Sequence, residues 1–184
     1  MIYHQHIETQ LGEIWILNSE ENGLAKSETE SRQCFEARVL KEFIQSSIGN
    51  VNLDHESNGA PFIQNRPDLN ISISHSDNWF TIYVSSKSQV GIDIEVPTSN
   101  IQKTEKHFLT QSEIERFQPS ESVLQLCWGI KEAIYKLVKG DIQLLKNDIE
   151  IISIRKNQAV AKVKNQEIQL QRLQSDMFTL VYTN

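Results

Sequence analysis

Val90-Gly91-Ile92-Asp93-Ile94-Glu95-Val96 alternates with a period of two: Val90, Ile92, Ile94 and Val96 fall on one side of an extended segment, and Asp93 and Glu95 on the other. At that spacing the two acidic Cβ atoms lie about 6 to 7 Å apart. Carboxylates this close repel each other unless a cation lies between them, and a hard, oxygen-seeking ion such as Mg²⁺ suits the pair. The competing reading is an edge strand with an apolar inner face and a solvated acidic outer face. Residues elsewhere in the chain have to decide.

Upstream, Phe80 to Ser85 reads as a strand and Lys87 to Gln89 as a turn, so the acidic strand is expected to close a hairpin with Phe80–Ser85. Before it, Leu69, Ile71 and Ile73 alternate with Asn70, Ser72 and Ser74, a half-buried strand that ends in Ser74, His75 and Ser76. Two hydroxyls and an imidazole at a strand end bind a phosphate or make a turn. Asn50 to Asn70 is rich in Asn, Gly and Pro, with Asn58-Gly59 as a hairpin-type turn. Glu30 to Ser47 repeats apolar residues at helical spacing and stops at Gly49. That helix carries Arg32, Arg38 and Lys41, a solvated face or a phosphate-holding one. Ile14 to Leu17 reads as a first strand.

Downstream, Pro97 and Thr98 close a first half, which divides the chain into 1–97 and 98–184. Ile101 to Phe108 and Thr110 to Phe117 read as short helices, the second opened by a capping box of Thr110 and Glu113. Glu121 to Lys139 reads as a long helix stopped by Gly140. Turning 100° per residue, it gathers Leu126, Cys127, Ile130, Ala133, Ile134, Leu137 and Val138 on one side and Trp128, Glu132, Lys136 and Lys139 on the other. Glu132 and Lys136, at i and i+4, make a surface ion pair or part of a site. Ile149 to Ile154, Ala159 to Val163, Ile168 to Leu173 and Phe178 to Tyr182 read as antiparallel strands.

Eighteen Lys and Arg against 24 Asp and Glu give a formal charge of -6 over 184 residues. That balance offers no basic footprint for a nucleic acid or an anionic membrane, so any polyanion must meet a local basic site. No apolar stretch approaches the roughly 20 residues of a membrane span, and the first residues lack a signal-peptide core, which points to a soluble, cytoplasmic protein. Cys34 and Cys127 sit in helical patterns without metal-ligand spacing and are expected to be reduced packing thiols.

A third carboxylate on a helix, a lysine one turn later and a strand with two acids form a parts list for phosphoryl chemistry. The order and separation of Gly91-Ile-Asp-Ile-Glu95, Phe108-Leu-Thr-Gln-Ser-Glu113 and Trp128-Gly-Ile-Lys-Glu-Ala-Ile-Tyr-Lys136 resemble the 4'-phosphopantetheinyl transferases of the surfactin-synthetase-activating type. Asn58 to Phe62 and Ile73 to Ser76 resemble that family's two preceding motifs, so the likeness covers roughly residues 30 to 140. It implies an α+β fold of two similar halves, each a long helix on an antiparallel sheet, joined as an intramolecular pseudo-dimer with the active site between them. It implies transfer of the 4'-phosphopantetheine arm of coenzyme A to a serine of an apo acyl- or peptidyl-carrier protein by a monomer of the holo-carrier synthase kind. Asp93, Glu95 and Glu132 would hold Mg²⁺, and Lys136 would stabilise the departing adenosine 3',5'-bisphosphate. Glu113 or a metal-bound water would take the serine proton. Ser74, His75 and Lys131 would contact coenzyme A, with Arg32 and Arg38 as further candidates for its 3'-phosphate. Where the family commonly has Gly-Lys-Pro this chain has Gly59-Ala60-Pro61, which removes a cation near the nucleotide. A non-catalytic relative that binds coenzyme A or a carrier, and a Mg²⁺-dependent phosphohydrolase, are the rival functions.

Overall fold

Two strands with apolar side chains at nearly every position centre the first sheet. β2 (Glu13–Asn18) and β6 (Trp79–Ser85) are buried along almost their whole length, a continuous rather than alternating pattern that requires cover on both faces. In this computed structural model, which describes residues 1–98 and 100–184, that sheet runs β1 (Gln5–Glu8), β2, β6, β5 (Asn70–Ser76), every neighbour antiparallel. On one face Trp15, Leu17, Phe80, Ile82 and Val84 cluster with Phe35, Val39, Phe43 and Ile44 of helix α1 (Arg32–Ile48). The Ser31 hydroxyl caps α1 by accepting the Cys34 N–H at 3.2 Å, and Gly49, at φ 82°, ends it.

On the other face Ile14, Ile16, Trp79 and Tyr83 meet Val90, Ile92, Ile94, Phe178 and Leu180 of a second sheet. Its order is β7 (Ile92–Glu95), β11 (Thr179–Thr183), β10 (Gln166–Gln174), β9 (Gln158–Val163), β8 (Ile149–Ile154), again antiparallel throughout. Helix α4 (Glu121–Leu137) covers it through Leu124, Leu126, Cys127, Ile130, Ala133 and Ile134, which share a core with Ile149, Ile151, Ala161 and Val181. The result is a mixed α/β architecture stacked as helix, sheet, sheet, helix. A small hairpin, β3 (Leu53–His55) with β4 (Pro61–Ile63), lies between α1 and β5 in the chain; short helices α2 (Glu105–Phe108) and α3 (Gln111–Phe117) precede α4, and α5 (Leu145–Asp148) follows it. Among the described residues no helix is long and apolar enough to cross a membrane.

The expected hairpin between Phe80–Ser85 and the acidic strand is not formed. β6 already has β2 and β5 on its two edges, so β7 pairs with β11 instead, Asp93 opposite Val181 and Ile94 opposite Leu180. α4 lies directly on β7 because position 91 is glycine: a Cβ there would sit 1.9 Å from the Ala133 carbonyl oxygen and 2.9 Å from the Leu137 nitrogen. Of the expected packing thiols, Cys127 is buried but Cys34 is exposed, its helix turning it outward; both are free. Burial pushes the Cys127 thiol up to about 12.

Candidate active site

The period-two pattern of β7 meets a second period-two pattern on β5. Amide N–H groups of residues 92, 94 and 96 point away from β11, where no strand pairs with them, and unpaired they would leave two buried donors and one half-buried one, each buried donor costing about 1 to 3 kcal/mol. Serine hydroxyls of β5 accept them: Ile92 N–H to Ser72 at 3.1 Å, Ile94 to Ser74 at 3.3 Å, Val96 to Ser76 at 3.2 Å. Ser74 in turn donates to Asp93 Oδ1 at 2.8 Å and Ser76 to Glu95 Oε2 at 3.1 Å. The two acids therefore face β5 and α4 rather than open solvent.

From α4, Lys136 donates to Asp93 Oδ1 at 2.7 Å and the Trp128 indole N–H to Glu95 Oε1 at 2.9 Å. Glu132 stands one turn from each of these residues, half-buried. Its partner in the i, i+4 reading, Lys136, is paired with Asp93. Burial raises the proton affinity of Asp93, Glu95 and Glu132 alike. Asp93's charge adds to the rise at Glu95 and Glu132, and Lys136 opposes it at all three. Glu95 is pushed up to about 7. Oδ2 of Asp93 is buried with no hydrogen-bond partner.

A carboxyl whose folded pKa is raised is favoured in the fold when protonated. Its contribution is complete below its unfolded value and is lost as pH rises from about 4.5 to about 7, the window set by Glu95. In chelator, Glu95→Gln should therefore melt above the parent at pH 7.5 and the gap should close by pH 5. After discounting for solvent at this half-buried group, about 1 kcal/mol or roughly 2 to 4 °C is expected. A gap independent of pH in thermal melts would contradict the raised affinity.

Two of the expected site residues lie elsewhere. Glu113 is 1% exposed and Lys131 0%, and they form a buried ion pair at 3.0 Å. Glu113 Oε2 also accepts from the Thr110 amide and hydroxyl, completing the capping box, while Oε1 accepts the Ile151 N–H at 2.9 Å. Lys131 donates further to the Ile149 carbonyl at 2.8 Å. The pair ties α3, α4 and β8 together, and among the described residues no hydrogen bond or ion pair joins it to the acids on β7. The structure does not bring Lys131 to the cleft: one residue along a helix is a 100° turn, and Lys131 faces the core while Glu132 faces out. For Glu113 the capping reading holds, and both of its oxygens are engaged.

A cleft of about 760 Å³ opens between α1, the β3–β4 hairpin, β5 and the last turns of α4. That is the size of a ligand pocket. Of the expected residues it is lined by His75, Glu132 and Lys136; Ala60 lies on its wall. Ser74 is not on the wall, since its hydroxyl is used between Asp93 and Ile94, and its neighbour Ser72 is. Arg32 is paired with Glu36 at 2.5 Å and with the Asp77 carbonyl, and Arg38 with Glu30 at 3.0 Å. Neither arginine lines the cleft, so the structure does not bring these two to the site. Two more cations line the wall: Lys41, from the helix face read as solvated or phosphate-holding, and Lys139, from the polar side of the long helix. Lys139 also bonds Glu56 at 2.6 Å while its carbonyl accepts Asn58 at 2.7 Å, which holds the hairpin tip against α4. Lys41, Lys136 and Lys139 line this cleft against Glu36 and Glu132, with Lys136 and Lys139 also paired to Asp93 and Glu56, so it gathers the cations that an anionic ligand needs. Burial lowers the proton affinity of His75, with Glu36, 3.7 Å away, opposing.

Three acids with raised proton affinity, one bearing a buried unpartnered oxygen, form a donor set that fits a hard divalent cation. Gly129 leaves room beside that oxygen: a Cβ there would come within 3.5 Å of Asp93 Oδ2. Among the described residues no three such side chains already stand in metal-holding geometry; the Lys136 ammonium balances Asp93 instead.

Comparison with known proteins gives two matches. The curated 4'-phosphopantetheinyl transferase HetI of Nostoc sp. strain PCC 7120 is 32% identical over 123 residues, covering 61% of this chain and 52% of that protein. The chain thus spans about half the length of the curated relative it matches. The family whose pattern this chain matches, over residues 89–177 with β7, α3 and α4 inside the match, is the 4'-phosphopantetheinyl transferase superfamily.

Proposed function

We propose that the chain transfers the 4'-phosphopantetheine arm of coenzyme A to a serine hydroxyl of an apo acyl- or peptidyl-carrier protein, in the manner of the surfactin-synthetase-activating type. The carrying observation is the placement of Lys136: it lines the cleft and at the same time touches Asp93. In this reading the two helix-and-sheet units act as the halves of a pseudo-dimer, 1–97 and 98–184, with β7 crossing from the first into the second sheet. A monomer working in the cytoplasm is part of the same proposal.

Asp93, Glu95 and Glu132 would hold Mg²⁺, which when bound would screen the charge of the diphosphate and polarise its phosphorus–oxygen bond. The chain's own residues do the rest. His75, Lys41 and Lys139 place the anionic substrate along the cleft. The carrier's serine oxygen attacks the phosphorus of the pantetheine side, the diphosphate bridge breaks, and adenosine 3',5'-bisphosphate leaves with the bridging oxygen. Lys136 exchanges Asp93 for the charge that develops on that leaving phosphate. Glu132 lines the cleft and carries no ion pair among the described residues, so its carboxylate would be free for the cation, and the serine's proton would pass to a water in the cleft.

Incubating the protein with coenzyme A, Mg²⁺ and a panel of apo-carriers, then weighing the carriers by mass spectrometry, tests the reading. A gain of one phosphopantetheine on at least one carrier is expected, and unchanged masses across acyl and peptidyl carriers would overturn it. Lys136→Ala should lower kcat by about a hundredfold or more and leave KM for coenzyme A within a few-fold, since the cation acts where charge develops in the transition state. An unchanged kcat in steady-state assays would return Lys136 to a partner of Asp93 alone.

A further inference from the structure

Ser72, Ser74 and Ser76 all do the same thing for the backbone of β7, but only two of them touch an acid. Each hydroxyl accepts one β7 amide, at 3.1, 3.3 and 3.2 Å respectively. A hydroxyl has one proton to give. Ser74 gives it to Asp93 Oδ1 and Ser76 to Glu95 Oε2, whereas no carboxylate accepts from Ser72. The consequence is directional. With Oδ1 of Asp93 taken, its other oxygen is the buried one without a partner; with Oε2 of Glu95 taken, its other oxygen meets the Trp128 indole.

We propose that Ser74 and Ser76 are positioning residues: their hydroxyls fix which oxygen of Asp93 and of Glu95 is presented at the site, a role separate from the amide stitching they share with Ser72. This rests on the reading that the acids serve a divalent cation, but part of it is independent of any cation. The hydroxyls reach the acids from a strand of the other sheet, so the orientation of each carboxylate is set by the docking of β5 on β7. Outer hydrogen bonds of this kind change metal affinity by about 10- to 100-fold when removed. A serine kept only to satisfy an amide would have no such effect.

The test compares Ser72→Ala, Ser74→Ala and Ser76→Ala in the full-length protein, with two readouts. In chelator, the Trp128 indole N–H resonance, assigned with Trp128→Phe, reports the Glu95 carboxylate without metal; the indoles of Trp15 and Trp79 serve as references. It should move in Ser76→Ala and stay in place in Ser72→Ala and Ser74→Ala. By calorimetry with MgCl₂ alone, Ser74→Ala and Ser76→Ala should bind Mg²⁺ about tenfold more weakly than the parent and Ser72→Ala within about twofold. All three should melt lower than the parent, since all three lose an amide partner. An indole that stays put in Ser76→Ala, or Mg²⁺ affinities equal across the three variants, would overturn the positioning role. If the parent binds no Mg²⁺ while the indole moves in Ser76→Ala alone, the orientation of Glu95 by Ser76 stands and the metal reading falls.

Discussion

Asp93→Asn is expected to reduce phosphopantetheine transfer by about a thousandfold or more and, in chelator, to raise the melting temperature. The loss follows from removing the charge of the acid that Lys136, Ser74 and the unpartnered oxygen all single out. The stabilisation follows from the sign of its shift. Burial dominates over the Lys136 ion pair, so the fold favours the neutral form of Asp93, and an amide is neutral at every pH while its oxygen still accepts from Ser74. Relief of repulsion at Glu95 and Glu132 acts in the same direction. A gain of about 1 kcal/mol, or roughly 2 to 4 °C, is expected in thermal melts, the common outcome when a strained functional group is neutralised. A variant that melts below the parent in chelator would mean that the ion pair outweighs the cost of burying the charge.

Gly91→Ala should be among the most damaging single changes, destabilising by about 3 kcal/mol or more. Overpacking usually costs about 1 to 3 kcal/mol because side chains can give way. Here the obstacle is backbone: the new methyl would lie 1.9 Å from the Ala133 carbonyl oxygen, so α4 or β7 must move. Either shift separates Asp93 and Glu95 from Glu132, Lys136 and Trp128, so activity should fall with stability even at temperatures where the protein remains folded. Denaturant unfolding compared with Gly129→Ala is the check. At Gly129 the nearest atom is a Val181 methyl at 3.3 Å, which can yield by a few tenths of an ångström, so its loss of stability should be much smaller. Equal losses at the two positions would contradict close α4–β7 packing as the reason for glycine at 91.

Elements whose pattern is local were legible in the sequence. The long helices differ from their expected bounds by only a residue or two at each end, and β8 coincides with Ile149 to Ile154. Asp93 and Glu95 share a face because a strand leaves no alternative, and Trp128 and Glu132 lie toward them because a helix turns 100° per residue. Long-range pairing was not legible. Nothing in Phe80–Val96 says that β6 already has two neighbours, and β1, with Gln5, His6 and Glu8 around a single Ile7, has no apolar run to mark it. Its exposed His6 stacks on Trp15 at 4.9 Å and pairs with Glu13 at 2.9 Å. The pairings of charged residues were not legible where the partner is distant in sequence, as for Lys131 with Glu113, and Arg32 is held by its neighbour Glu36 rather than turned to the cleft. One signal was available: Ser72, Ser74 and Ser76 repeat at the same period as Asp93 and Glu95, and Ser74 and Ser76 meet those two acids.

The most direct measurement is of product stoichiometry. With coenzyme A, Mg²⁺ and an apo-carrier that is a substrate, adenosine 3',5'-bisphosphate should appear one for one with modified carrier. None should appear without carrier or with a carrier whose acceptor serine is replaced by alanine. Release of the bisphosphate in the absence of an acceptor serine, at a rate comparable to that with carrier, would make this cleft a hydrolase's and contradict the transfer reading.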